Sequence, residues 1–457
     1  MGRPLPVNPD FSLVKDWLSQ CDDHHPRCSY KPKLGIRFRI LDLQPWGGNS
    51  DLRLVENFHN EDRYAALSHC WGASQPLKLT SAIKESFKER ITYSHLPKTF
   101  QEAIAVTRAL GLRYLWIDSL CIIQDSRQDW EKQCTAMVHI YRDSYVTLAA
   151  AAASSCTSGF LKPREILTET VEFSEGTDFD KIILSHRGPD IYIFKHGHER
   201  ETPLSRRGWV LQETLLSRRV LSMGRKGIYL ECFTNIQTEA CHYPINTWTY
   251  AVLQRVPKRK IDSLQTIQEL RDYWQDIVRH YSFLLLTKPA DKLPALSGLA
   301  SEFQQATGFE YLAGMWREDL PRGLAWYNPI GIVRKHPYLQ LQDHGGLPYV
   351  APSWSWASLP PGLGASSPGI IPGSLFLNDL EILNVKATLT GLNAFGEISD
   401  AFIEARGRMK HITVYDRESR FDILSRGKEQ VAEYYPDNFE AAGKDKLDVS
   451  LLYIGKF

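Results

Sequence analysis

The residues best equipped for chemistry lie in the run Ser205-Arg206-Arg207-Gly208-Trp209-Val210-Leu211-Gln212-Glu213. Ser205 is placed to cap a helix that starts here. At about 3.6 residues per turn, Trp209, Gln212, Glu213 and Leu216 fall on one face. A carboxylate beside a tryptophan on a half-apolar face is costly as packing alone. In a pocket, the same burial raises its pKa and suits it to act as an acid, a base or a stabiliser of positive charge. The competing reading is structural: Glu213 pairs with Arg206, Arg207, Arg218 or Arg219, since structural ion pairs also bury carboxylates.

Two further polar clusters follow short apolar runs. Tyr64–Leu67 leads into Ser68, His69, Cys70, Trp71 and Gly72, and Tyr114–Ile117 leads into Asp118, Ser119, Leu120 and Cys121. If both runs are strands of an open α/β sheet, these clusters sit beyond the carboxyl ends, where such sheets bind ligands. Alternatively, Asp118 caps a turn and His69 satisfies a backbone carbonyl. Cys121, His69 and Asp118 are also the residue types of a nucleophile, a base and an orienting group. No spacing rule ties them together, and Cys121 stands in an apolar run, which reads as a buried inert thiol. Cys21-Asp22-Asp23-His24-His25-Pro26-Arg27-Cys28 offers two cysteines and two histidines. Their spacing is poor for one tetrahedral zinc and no nearby pair completes a set, so no metal is expected.

The elements that must position these groups alternate in type. Tyr64–Ser68, Tyr114–Ile117 and Tyr145–Ala151 read as buried strands. Helices are expected at Thr99–Leu110, with Thr99 and Glu102 as a capping box, and at Asp129–Tyr141, where Trp130, Cys134, Met137, Val138 and Tyr141 recur at helical spacing. This alternation predicts an α/β fold with a doubly wound, parallel-sheet core. Residues 1–60 form an N-terminal lead with a helix over Phe11–Cys21. The core domain spans 61–235, interrupted near 160–200 by a polar insertion with a hairpin (Ile182–Leu184, Ile191–Phe194). Residues 236–457 form a C-terminal α+β region whose end is β-rich, with a helix over Trp274–Leu286 and strands over Leu377–Leu389 and Ile403–Val414.

Bulk properties exclude several classes. The net charge of +1 over 457 residues offers no global field toward nucleic acid or anionic membrane. No stretch approaches the ~20 apolar residues that span a bilayer. Residues 1–20 lack a long apolar core, so no secretory leader is expected. Eight cysteines in so long a chain do not suggest a disulfide scaffold. A reducing, cytoplasmic location fits best. No Gly-x-Gly-x-x-Gly follows a strand, which argues against a dinucleotide-dependent dehydrogenase.

The three blocks Tyr64–Gly72, Tyr114–Asp125 and Ser205–Glu213, in that order, closely resemble the fungal heterokaryon incompatibility (HET) domain, over about Tyr64 to Glu231. Tyr311-Leu312-Ala313-Gly314-Met315-Trp316 and Trp354-Ser355-Trp356-Ala357 resemble the tail of many such proteins, and the Cys…His-Pro…Cys lead resembles segments ahead of the domain. The resemblance implies a TIR-like, flavodoxin-like core and a role in incompatibility and cell death, triggered by an activating partner or by self-association. Enzymatic TIR domains cleave NAD with a glutamate in a Ser…Trp/Cys…Glu pattern similar to Ser205, Trp209 and Glu213. By that likeness NAD is a substrate and no cofactor is needed. Glu213, Asp118 and His69 would be catalytic; Ser68, Trp71, Gly72, Cys121, Trp209 and Gln212 would bind substrate. Two other classes stay open: a non-catalytic assembly module, and a tailoring enzyme of small-molecule biosynthesis.

Overall fold

The computed structural model describes residues 11–59, 62–163, 202–245, 256–324, 349–365 and 380–452, apart from short breaks, together with an antiparallel hairpin of strands Leu167–Val171 and Ile182–His186. The chain divides into two compact units, Met1–Lys260 and Ile261–Phe457.

The first unit is built on a nine-stranded sheet. In chain order its strands are β1 (Arg37–Asp42), β2 (Arg53–His59), β3 (Tyr64–Ser68), β4 (Tyr114–Trp116), β5 (Val146–Ala149), then, after hairpin strands β6 (Leu167–Val171) and β7 (Ile182–His186), β8 (Arg219–Met223), β9 (Ile228–Cys232), β10 (Ile236–Thr238) and β11 (Cys241–Ile245). Across the sheet they run β11-β10-β9-β8-β5-β3-β4-β1-β2. The centre β8-β5-β3-β4 is parallel, as expected. Every residue of β3 and β5 is buried, as strands covered on both faces require. Both flanks are antiparallel, so the sheet is mixed rather than wholly parallel. Tight turns made by the short β8–β11 connections permit only antiparallel pairing there.

The helices are α1 (Phe11–His24), α2 (Lys84–Glu89), α3 (Lys98–Ala109), α4 (Asp118–Cys121), α5 (Arg127–Arg142) and α6 (Gly208–Leu216). α5 starts where Ser126 accepts a hydrogen bond from the Asp129 amide, and buries Cys134, Met137, Val138, Ile140 and Tyr141. Thr99 and Glu102 do not form the expected capping box. Thr99 Oγ1 donates to Ser155 O at 2.9 Å, and Glu102 Oε2 accepts from the Phe160 and Leu161 amides at 2.5 and 2.8 Å. Both side chains tie down the loop after β5, a tertiary demand stronger than the local one. Ser205 is likewise not the cap of α6, whose N-cap is Arg207; Ser205 Oγ donates to Thr202 O at 3.1 Å instead. The expected strand Ile191–Phe194 lies outside the described residues, and Ile182–His186 pairs with Leu167–Val171.

In the second unit, α7 (Ile267–Tyr281) opens on a capping box of Thr266 and Glu269, earlier than its apolar stripe alone indicates. It is followed by α8 (Ser297–Thr307), the hairpin β12 (Tyr311–Leu312) and β13 (Met315–Trp316), and α9 (Leu320–Gly323). The two tail motifs meet here. Trp274 and Trp356 both donate their indole N–H to Gly314 O, at 3.3 and 2.9 Å, and Ser355 Oγ donates to Ala313 O at 2.6 Å. The tail is β-rich as expected, with the hairpin β14 (Leu380–Leu389) and β15 (Ile398–Gly407). The expected strand over Ile403–Val414 is divided between β15 and β16 (Met409–Arg417), which joins β17 (Arg420–Leu424), β18 (Gln430–Tyr434) and β19 (Lys446–Leu452) in a separate sheet.

Gly72, just beyond β3, has φ of 80°, and a Cβ there would come within 2.4 Å of Ser155 Cβ. Gly72→Ala is expected to lower stability by about 1–3 kcal/mol through positive-φ strain and this clash. Urea unfolding would check it, and an unchanged midpoint would contradict this reading.

Candidate active site

Chain order alone puts the polar clusters together. From β3 the chain goes to β4 on one side and then returns to β5 on the other, so the strand order reverses beside β3. Groups leaving the carboxyl ends of β3 and β4 therefore face the crevice where such sheets bind ligands. Ser68 and His69 leave β3, Asp118 opens the short α4 directly after β4, and α6 brings Glu213 to the same place.

Asp118 organises the strand ends. Its Oδ2 accepts the Trp71 indole N–H at 2.7 Å, and its Oδ1 accepts the Ser119 amide at 2.6 Å. His69 Nδ1 lies 3.7 Å from Asp118 Oδ1, beyond hydrogen-bond length but within reach of its charge. Burial pushes the His69 pKa down, the Asp118 charge opposes this, and Arg207 adds to it. His69 is therefore neutral at physiological pH. Its ring stands edge-on to Phe100 at 5.0 Å.

Glu213 is buried, 7% exposed. Its pKa is raised to about 7: burial is the largest cause and Asp118 adds to it, while Ser68, Arg207 and Tyr141 oppose the rise. Among the described residues it makes no ion pair. Two of the arginines that could have neutralised it are used elsewhere: Arg218 faces Asp143, 3.6 Å away, and Arg219 pairs with Asp22. The field of Arg207 reaches it and opposes the rise. Glu213 Oε2, Ser68 Oγ, His69 Nε2 and Ser119 Oγ are all buried without a hydrogen-bond partner among the described residues. Ser68 thus lies close enough to act on the carboxyl without completing a hydrogen bond to it. Native interiors leave few such atoms, and polar atoms left open at strand ends suit a ligand.

The remaining expected site residues are distributed differently. Gln212 is fully buried. Trp209 meets Trp130 edge to face at 6.4 Å. Gly72 is set by the backbone and by Ser155. Cys121 is fully buried and its thiol is pushed up to about 12, so it stays protonated, in keeping with an inert thiol. Tyr141 was hidden in the sequence as one more residue on the inward face of α5. Its hydroxyl donates to Leu67 O at 3.3 Å and also acts on Glu213. A buried tyrosine must place its hydroxyl somewhere, and that requirement was the available signal.

The family model "Heterokaryon incompatibility protein (HET)" matches residues 64–213. The chain carries a HET domain. The matched span opens on β3 and closes on Glu213, so it frames the polar cluster. No curated protein and no solved structure matches the chain significantly. Among the described residues, no helix is long and apolar enough to cross a membrane. Within the first unit, the HET domain shares its sheet with β1 and β2 from the lead and with β8–β11 from beyond the match.

The raised pKa makes Glu213 a stability liability. Its folded pKa of about 7 exceeds its ordinary value of 4.5, so between these values the unfolded chain binds fewer protons. Its contribution to stability is intact below about 4.5 and lost as pH rises through about 7, a change on the order of 3 kcal/mol. Glu213→Gln is expected to raise the melting temperature at pH 8 and to leave it almost unchanged near pH 4.5. Thermal unfolding across pH measures this. A variant less stable than wild type at pH 8 would show the carboxylate to be structurally paired.

Proposed function

We propose that the HET domain cleaves NAD or a related nucleotide at the glycosidic bond, with Glu213 as the catalytic carboxylate. The observation that carries this reading is the buried Glu213 carboxyl, with its open oxygen, beside Ser68 and Asp118. The ring nitrogen of the nicotinamide in NAD is positively charged and the ring departs neutral, so no general acid is required. The ribose acquires oxocarbenium character, which a nearby carboxylate stabilises. A carboxyl that ionises at about 7 supplies that charge at working pH in a poorly solvated setting, where its field is little damped.

The other groups suit the same task. The Ser68 hydroxyl and neutral His69 are buried polar groups suited to hydrogen-bonding sugar hydroxyls. The indole N–H of Trp71 is committed to Asp118, leaving its ring to stack on a base or on nicotinamide. Counted from β3, the parallel strands lie in the order second, first, third, fourth. Flavodoxin-like sheets share that order, which supports the TIR-like reading. In this reading the domain contributes to incompatibility and cell death, and an activating partner or self-association switches it on.

Purified protein incubated with NAD at high concentration is expected to release nicotinamide. Glu213→Gln should reduce the rate by at least about 100-fold with the fold intact. Because the ionised carboxylate is the working form, the wild-type rate should decline as pH drops through about 7. Absence of release from NAD and from related nucleotides, or full activity in Glu213→Gln, would rule this function out.

A further inference from the structure

The run Cys21–Cys28 acquires a partner that lies far away in the chain. The side chains of Cys21, His25, Cys28 and Cys232 converge, with their ligand atoms all within 4.8 Å of one another. Cys21 and His25 are on and just after α1, Cys28 lies in the following turn, and Cys232 ends β9. Cys232 Sγ is 3.5 Å from His25 Nδ1. In a tetrahedral zinc site with Zn–S of about 2.3 Å and Zn–N of about 2.0–2.1 Å, ligand atoms stand about 3.5–3.8 Å apart. Closing the cluster onto one ion thus needs only small side-chain movements. The three cysteines are at most 2% exposed and are not joined in a disulfide.

The surroundings favour thiolates over thiols. The Thr234 and Asn235 amides both donate to Cys232 Sγ, at 3.3 and 3.4 Å. Two backbone donors aimed at one sulfur are wasted on a thiol, which is a weak acceptor. Thr234 Oγ1 lies 3.9 Å from Cys28 Sγ. The buried Arg219 guanidinium donates to Cys21 Sγ at 3.2 Å and to Cys28 O at 3.1 Å. Three thiolates around a divalent ion leave one net negative charge, and Arg219 offsets it. Such outer contacts orient the ligands of metal sites.

We propose that Cys21, His25, Cys28 and Cys232 bind one Zn²⁺ in a closed, structural Cys₃His site that fastens α1 to the sheet. Binding takes all three cysteines as thiolates, releasing the proton of each one still held as a thiol, and leaves no open coordination position, so the ion does no chemistry of its own. The site is independent of the reaction assigned to Glu213. Sequence spacing pointed away from a metal because the fourth ligand comes from β9.

Elemental analysis of the full-length chain, purified reduced and without chelator, is expected to give one zinc per chain. Removing it should lower the melting temperature by on the order of 10 °C. Replacing it with Co²⁺ should produce the visible bands of a tetrahedral, thiolate-bound ion. Cys232→Ser should lose the metal, while Cys134→Ser, which alters a buried cysteine of α5, should retain it. Because Cys232→Ser could fail to fold, the wild-type cobalt spectrum stands as an independent measurement. A folded wild-type chain without zinc and without thiolate bands on Co²⁺ addition would overturn the proposal, as would a Cys21–Cys28 disulfide.

Discussion

A carboxyl group that is expensive to ionise lies at the centre of the HET domain. Among the described residues Glu213 is buried without an ion pair, and the nearby Asp118 charge makes its ionisation costlier still. Ser68, Arg207 and Tyr141 offset part of that cost, and the balance leaves the pKa at about 7. Pairing with Arg218 or Arg219 would have removed the effect, but those side chains are held by Asp143 and Asp22. A fold selected for stability alone would have matched this carboxylate with a cation or replaced it.

The sheet explains how residues so far apart in sequence reach one corner. The parallel centre sends Ser68 and Asp118 out of adjacent strands at the same edge, and the reversal of strand order beside β3 leaves that edge open to α6. Just after α6, Arg219 begins β8 with its guanidinium buried among Asp22, Cys28 and Tyr145. The lead helix α1 is therefore bound to the strand that follows α6. A zinc clamp between α1 and β9 would stiffen this same flank.

Much of this was legible in the sequence because it is local. The apolar runs Tyr64–Leu67 and Tyr114–Ile117 could only be short buried strands, and the polar residues directly after them marked the strand ends. The Trp209–Glu213 face was legible through the cost of burying a carboxylate. Contacts between distant segments were not. Thr99 and Glu102 look like a capping box but serve the loop after β5, and Ser205 looks like a cap but turns back to Thr202. Tyr141 is indistinguishable from a core residue until the end of β3 lies against it. Cys232 carries no local sign that it meets Cys21 and Cys28. The antiparallel flanks were missed because short strands on either side of the core reveal their pairing only through connection length.

The most direct test is to titrate Glu213 itself. Infrared difference spectra of wild type against Glu213→Gln, collected across pH, isolate the carboxyl band of this one residue. Protonation with a midpoint near 7 is the expected result. A midpoint near the ordinary value of 4.5 would mean that Glu213 is solvated or paired, and would contradict its assignment as the poised carboxylate of the site.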